Sequence, residues 1–109
     1  MTKILYVEDN PDNVYMLTRR LKKKGFELII AGDGQEGIDK AIEESPDLIL
    51  MDLSLPTMDG WTATAEIKKI EGLKDIPIIA LSAHAMPEHR DRAIKAVSYT
   101  HLRAHETVV

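Results

Sequence analysis

Apolar and polar positions along this chain follow two alternating periods, with short turn-forming punctuation between them. Lys3 to Val7 is a β-type run, and the Glu8-Asp9-Asn10-Pro11-Asp12 stretch after it reads as the start of a helix. Asn10 suits the cap, Pro11 suits the first helical position, and Asp12 complements the partial positive charge of a helix start. Val14, Leu17 and Leu21 then recur at helical spacing, and Gly25 is a natural stop. Phe26 to Ala31 predicts a second strand. Gly32-Asp33-Gly34 turns into a second helix that carries Ile38, Ala41 and Ile42 on one face and ends near Pro46. Leu48 to Met51 is an unbroken apolar run between turn signals, the pattern of a strand buried on both faces. A loop with Pro56 and Gly60 leads to a helix through Ile67 and Ile70. Ile76 to Leu81 predicts a fourth strand, and Pro87 opens a fourth helix containing Ala93 and Ile94.

Strands that alternate with helices form right-handed βαβ units, which implies an α/β fold with a parallel sheet covered on both faces. In such sheets ligands bind at the carboxyl ends of the strands. The first strand here ends in Glu8-Asp9, the third in Asp52 and the fourth in Ser82, so three carboxylates and a hydroxyl are expected to converge on one edge. Three close carboxylates repel unless a cation lies among them, and an oxygen-only donor set suits Mg²⁺. A carboxylate beside Mg²⁺ is placed to attack a phosphoryl group. Wet loops collect aspartates for no functional reason, which accounts for any one of these residues. The coincidence at three strand ends favours a site without naming it.

Composition narrows the class. A chain of 109 residues has room for one domain, and 44% hydrophobic with 29% charged residues is the balance of a soluble globular one. A net charge of -4 argues against a nucleic-acid surface, and the basic run Arg19 to Lys24 reads as a solvated helix end. The absence of cysteine removes disulfides, thiolate metal sites and cysteine nucleophiles. Met1 precedes a strand so closely that no signal peptide fits, and no apolar stretch approaches the roughly 20 residues of a membrane helix. The expectation is a cytoplasmic protein with no membrane or nucleic-acid partner.

Particular strings then carry a resemblance. Ile4-Leu5-Tyr6-Val7-Glu8-Asp9-Asn10, Asp47-Leu48-Ile49-Leu50-Met51-Asp52-Leu53-Ser54-Leu55-Pro56, Met58-Asp59-Gly60 and Pro77-Ile78-Ile79-Ala80-Leu81-Ser82-Ala83 stand in the order and spacing of response-regulator receiver domains. The sequence resembles that family over residues 3 to 96. The resemblance implies a flavodoxin-like, doubly wound sheet in the order 2-1-3-4-5. It implies Asp52 as phosphoacceptor, Asp9 as direct Mg²⁺ ligand, Glu8 as its partner acid, Ser54 as donor of a backbone carbonyl to the metal, and Ser82 as switch hydroxyl. The implied chemistry is phosphoryl transfer to Asp52 from the phosphohistidine of a histidine kinase or histidine phosphotransfer protein, followed by slow hydrolysis. The only catalysis implied is of this self-modification. The output would be a population shift at the fourth-helix surface, where a downstream protein docks. The Pro56 to Trp61 loop and the stretch after Ser82 are similar to stand-alone receivers, including regulators of bacterial polar differentiation, and to receivers of hybrid kinases. His84 and a Met58–Trp61 patch are further candidates for phosphate access and docking, each more often a bland loop or cover residue.

The pattern breaks after Ala96. A receiver would continue to a fifth strand ending in Lys-Pro and a fifth helix, whereas residues 97–107 resemble a translated sequencing adapter. Residues 1–96 are therefore expected to be an incomplete receiver and residues 97–109 a non-native tail. His101, His105, Tyr99 and Arg103 lie in that tail and receive no role. The family's charge-relaying lysine has no counterpart. The fourth strand is expected to be an open edge and one sheet face to be partly uncovered, so the chain as written is expected to be partly molten or aggregated. Rival readings fit less well. A haloacid-dehalogenase-type phosphatase expects its nucleophile on the first strand, and the acidic loop after that strand would repel a flavin's phosphate. A degenerate receiver that docks proteins without phosphorylation remains the alternative because the lysine is missing.

Overall fold

The computed structural model describes residues 2–52 and 60–81 and the backbone of 106–108. Strand β1 (Lys3–Val7) is followed by helix α1 (Pro11–Lys23), β2 (Glu27–Ala31), α2 (Gly34–Glu44), β3 (Leu48–Asp52), α3 (Gly60–Lys68), β4 (Ile78–Leu81) and β5 (Glu106–Val108). All ladders are parallel, and the sheet runs β2-β1-β3-β4-β5. The flavodoxin-like order is thus present.

Local chemistry explains the boundaries. The Asn10 side chain accepts from the N–H groups of Asp12 (2.9 Å) and Asn13 (3.2 Å), satisfying two donors otherwise unpaired at the start of α1, where Pro11 has no N–H to satisfy. At the other end, Gly25 N–H donates to Lys22 and Phe26 N–H to Leu21, with Gly25 at φ 92°. This is a Schellman closure, which needs a left-handed residue. Phe26 is occupied in that closure, so β2 starts one residue later than the apolar run predicts. Asp33 caps α2 by accepting from Glu36 N–H at 2.8 Å.

Side-chain alternation along the strands sorts the core into two layers. Ile4, Tyr6, Leu48, Leu50, Ile79 and Leu81 pack with Leu17 and Leu21 of α1. Leu5, Val7, Ile49, Met51 and Ile78 face the other way, against Ile38 and Ala41 of α2 and Ala63 and Ile67 of α3. The doubly buried β3 expected from its unbroken apolar run is what the fold contains: all of its residues are buried. α2 lies close over β1 at Gly37, where an added Cβ would come within 2.9 Å of Val7 Cγ2.

Several expectations need correction. Ile42 is 54% exposed, because the buried face of α2 is narrow and ends at Ile38 and Ala41. Ile70 follows the end of α3 and closes a turn, its N–H donating to Ile67. The fourth strand begins at Ile78, two residues later than predicted. Its far edge is not open. β5 pairs with it in the register Ile78–Glu106, Ile79–Thr107 and Ala80–Val108, because an unpaired parallel edge accepts any extended segment that reaches it. Nor is the α1-side face of β4 uncovered: Ile79 and Leu81 are buried. The predicted fourth helix and the tail other than residues 106–108 lie outside the described residues.

Candidate functional site

The acidic residues converge because the strands are parallel and in register. Val7 pairs with Met51, so the next position on each strand brings Glu8 level with Asp52. Glu8 extends the ladder by one bond, its N–H donating to Ala31 at 2.9 Å. Asp9 follows in the turn before the Asn10 cap. One carboxylate oxygen each from Glu8, Asp9 and Asp52 lies within 4.8 Å of the others. Glu8 is 4% exposed and Asp52 6%, while Asp9 stands in solvent.

Glu8 is held by donors from three elements. Its Oε1 accepts from the Tyr6 hydroxyl at 3.1 Å and from the Asn13 amide at 3.3 Å, and its Oε2 accepts from Asn10 N–H at 3.3 Å. Burial is the main influence on its acidity. Together with the hydrogen bond and negative charge of Asp52, it pushes the Glu8 carboxyl from its ordinary 4.5 up to about 7, against the donors at Asn10 and Tyr6. Glu8 therefore holds its proton up to about pH 7. An oxygen-only, net-negative cluster of this kind has the donor chemistry of a hard divalent cation.

The structure thus brings together Glu8, Asp9 and Asp52 among the residues singled out from sequence. Ser54, Ser82, His84, Met58 and the Trp61 side chain lie outside the described residues. Two contributors had no assigned role from sequence, Tyr6 and Asn13. Tyr6 carries the one polar tip in an otherwise aliphatic stretch, two residues before Glu8 and hence on its face of the strand. Asn13 lies one turn after the cap, a position that gave no signal of its own.

Fold and site define a doubly wound α/β protein with an acidic, cation-type cluster at the carboxyl edge of its sheet. The chain belongs to the response regulator receiver domain family, whose model matches residues 4–103. It is 44% identical over 97 residues to hybrid signal transduction histidine kinase G of Dictyostelium discoideum, covering 86% of this chain and 3% of that much longer protein. It is 41% identical over 93 residues to the polar-differentiation response regulator DivK of Brucella ovis, covering 84% of this chain and 76% of DivK. Among solved structures, it resembles the receiver domain of a sensor histidine kinase from Pseudomonas aeruginosa PAO1. The TM-score is 0.75 and the identity 34%, over 98% of this chain and 84% of that one, and that structure has a magnesium ion coordinated in its active-site cleft. The chain is accordingly a receiver domain of two-component signalling. Among the described residues no helix is long and apolar enough to cross a membrane.

Proposed function

We propose that this chain is a phosphoacceptor switch in which Asp52 receives a phosphoryl group from a phosphohistidine with the help of Mg²⁺. The observation that carries the reading is the convergence of Glu8, Asp9 and Asp52 within 4.8 Å at the strand ends. Glu8, Asp9, Asp52 and the backbone carbonyl of Ser54 would hold the ion. When bound, Mg²⁺ supplies charge neutralisation to the transferring oxygens. An Asp52 carboxylate oxygen attacks phosphorus, the P–N bond to the donor imidazole breaks, and its electron pair returns to that nitrogen. The Ser82 hydroxyl then bonds the phosphoryl oxygens, and water later hydrolyses the acyl phosphate. The donor is a histidine kinase or a histidine phosphotransfer protein, and the output is a protein target at the fourth-helix surface. Neither nucleic acid nor membrane is a partner, and the site of action is the cytoplasm.

Residues 1–96 form the receiver in this reading, and residues 97–109 are a non-native tail. Residues 96–109 contain no lysine, so the acyl phosphate lacks the cation that relays its charge in the family. Phosphorylation is therefore weakly coupled to the output surface here. Incubation with acetyl phosphate and Mg²⁺, on this chain and on one with its natural end restored, tests the reading by intact mass. Labelling of both, stronger or longer lived in the restored chain, is expected. Mg²⁺ binding without labelling of either would favour a docking module instead.

A further inference from the structure

We infer that Asn13 is a positioning residue of the acidic site: with the Tyr6 hydroxyl, its amide holds one oxygen of Glu8 and so fixes how that carboxylate faces the cation. The inference rests on the metal-site reading above and deepens it.

A carboxylate oxygen accepts two good hydrogen bonds. Oε1 of Glu8 has both, from Tyr6 at 3.1 Å and Asn13 at 3.3 Å, whereas Oε2 accepts from Asn10 N–H at 3.3 Å. The doubly hydrogen-bonded oxygen is thereby turned toward β1 and α1, while the same carboxyl also meets the Asp52 side chain of the cluster. The three donors come from the strand, the turn and the helix, so rotation of the long glutamate side chain breaks at least one bond. Only an amide N–H or another donor can serve at position 13, since an oxygen there would repel Oε1.

Asn13 has no competing duty in the helix. Asn10 is the cap, and its Oδ1 already takes the Asn13 backbone N–H. Replacing the Asn13 side chain therefore leaves the capping of α1 in place. Residues that orient a metal ligand in this indirect way change metal affinity by about 10- to 100-fold when removed.

The test is Mg²⁺ titration calorimetry on the full chain, paired with the melting midpoint of the metal-free protein. Asn13→Leu, which matches the shape but has no donor, is expected to weaken Mg²⁺ binding about tenfold at a nearly unchanged metal-free midpoint. Asn13→Gln, which restores an amide donor, is expected to recover most of the affinity. Affinity within twofold of the parent in Asn13→Leu, or a lowered midpoint with affinity intact, overturns the inference. Should Asn13→Leu fail to fold, Tyr6→Phe removes the other donor to the same oxygen, and unchanged affinity there overturns it equally. Absence of Mg²⁺ binding by the parent chain would overturn the site reading, and this inference with it.

Discussion

Glu8 joins two roles at one carboxylate, since it is part of the buried sheet edge and part of the acidic cluster. The unfolded chain releases this proton near 4.5, whereas the folded chain holds it up to about 7. Between those values the folded state binds the extra proton. The stability it contributes is full below about 4.5 and lost as pH rises through about 7. In the presence of a chelator, the melting midpoint is expected to carry a downward slope between about pH 5 and 8 that Glu8→Gln removes. An identical slope in Glu8→Gln would show that the proton resides elsewhere. Mg²⁺ held as proposed would have to displace the same proton, so its affinity is expected to fall as pH drops from about 8 to 6, measured by titration at each pH. The identity of Glu8, Asp9 and Asp52 as a cluster was legible in sequence, because strand ends in a parallel sheet share an edge. The high affinity of Glu8 for a proton was not, because it arises from burial and from Asp52, which are set by register rather than by neighbours along the chain.

At the scale of elements, helix caps and close approaches carry the local stability. Asn10→Ala leaves the Asp12 and Asn13 N–H groups without their side-chain acceptor and is expected to cost about 1 kcal/mol, read from denaturant unfolding. Asn10→Asp, which keeps the acceptor, should cost much less. Gly37→Ala drives a methyl toward Val7 Cγ2 at 2.9 Å and is expected to cost about 1–3 kcal/mol as α2 moves off β1. An unchanged midpoint in Gly37→Ala would mean that α2 packs further from the sheet. Asn10 announced its role in sequence through the Asn-Pro-Asp start. Gly37 did not, because a glycine inside a helical pattern says nothing about which strand lies beneath it. The one-residue delay of β2 was hidden for a related reason: Phe26 is apolar enough for a strand, yet its N–H is taken by the Leu21 carbonyl.

For the whole molecule, period and punctuation were enough to indicate a parallel sheet covered on both faces, and the family resemblance supplied its strand order. What they missed was the edge of the sheet. The expectation of an unpaired β4 rested on the missing family motif. The ladder instead takes Glu106–Val108, because backbone pairing requires an extended segment and little side-chain identity. With β4 paired and Ile79 and Leu81 buried, the chain is expected to melt in one cooperative transition without binding a hydrophobic dye beforehand. A broad, non-cooperative melt with strong dye binding would mean that this short fifth strand does not hold the edge. Phosphorylation at this sheet edge depends on Asp52, and intact-mass measurement after incubation with acetyl phosphate and Mg²⁺ tests it. One phosphoryl group on the parent chain and none on Asp52→Asn is the predicted result. A phosphoryl group that persists in Asp52→Asn would contradict it.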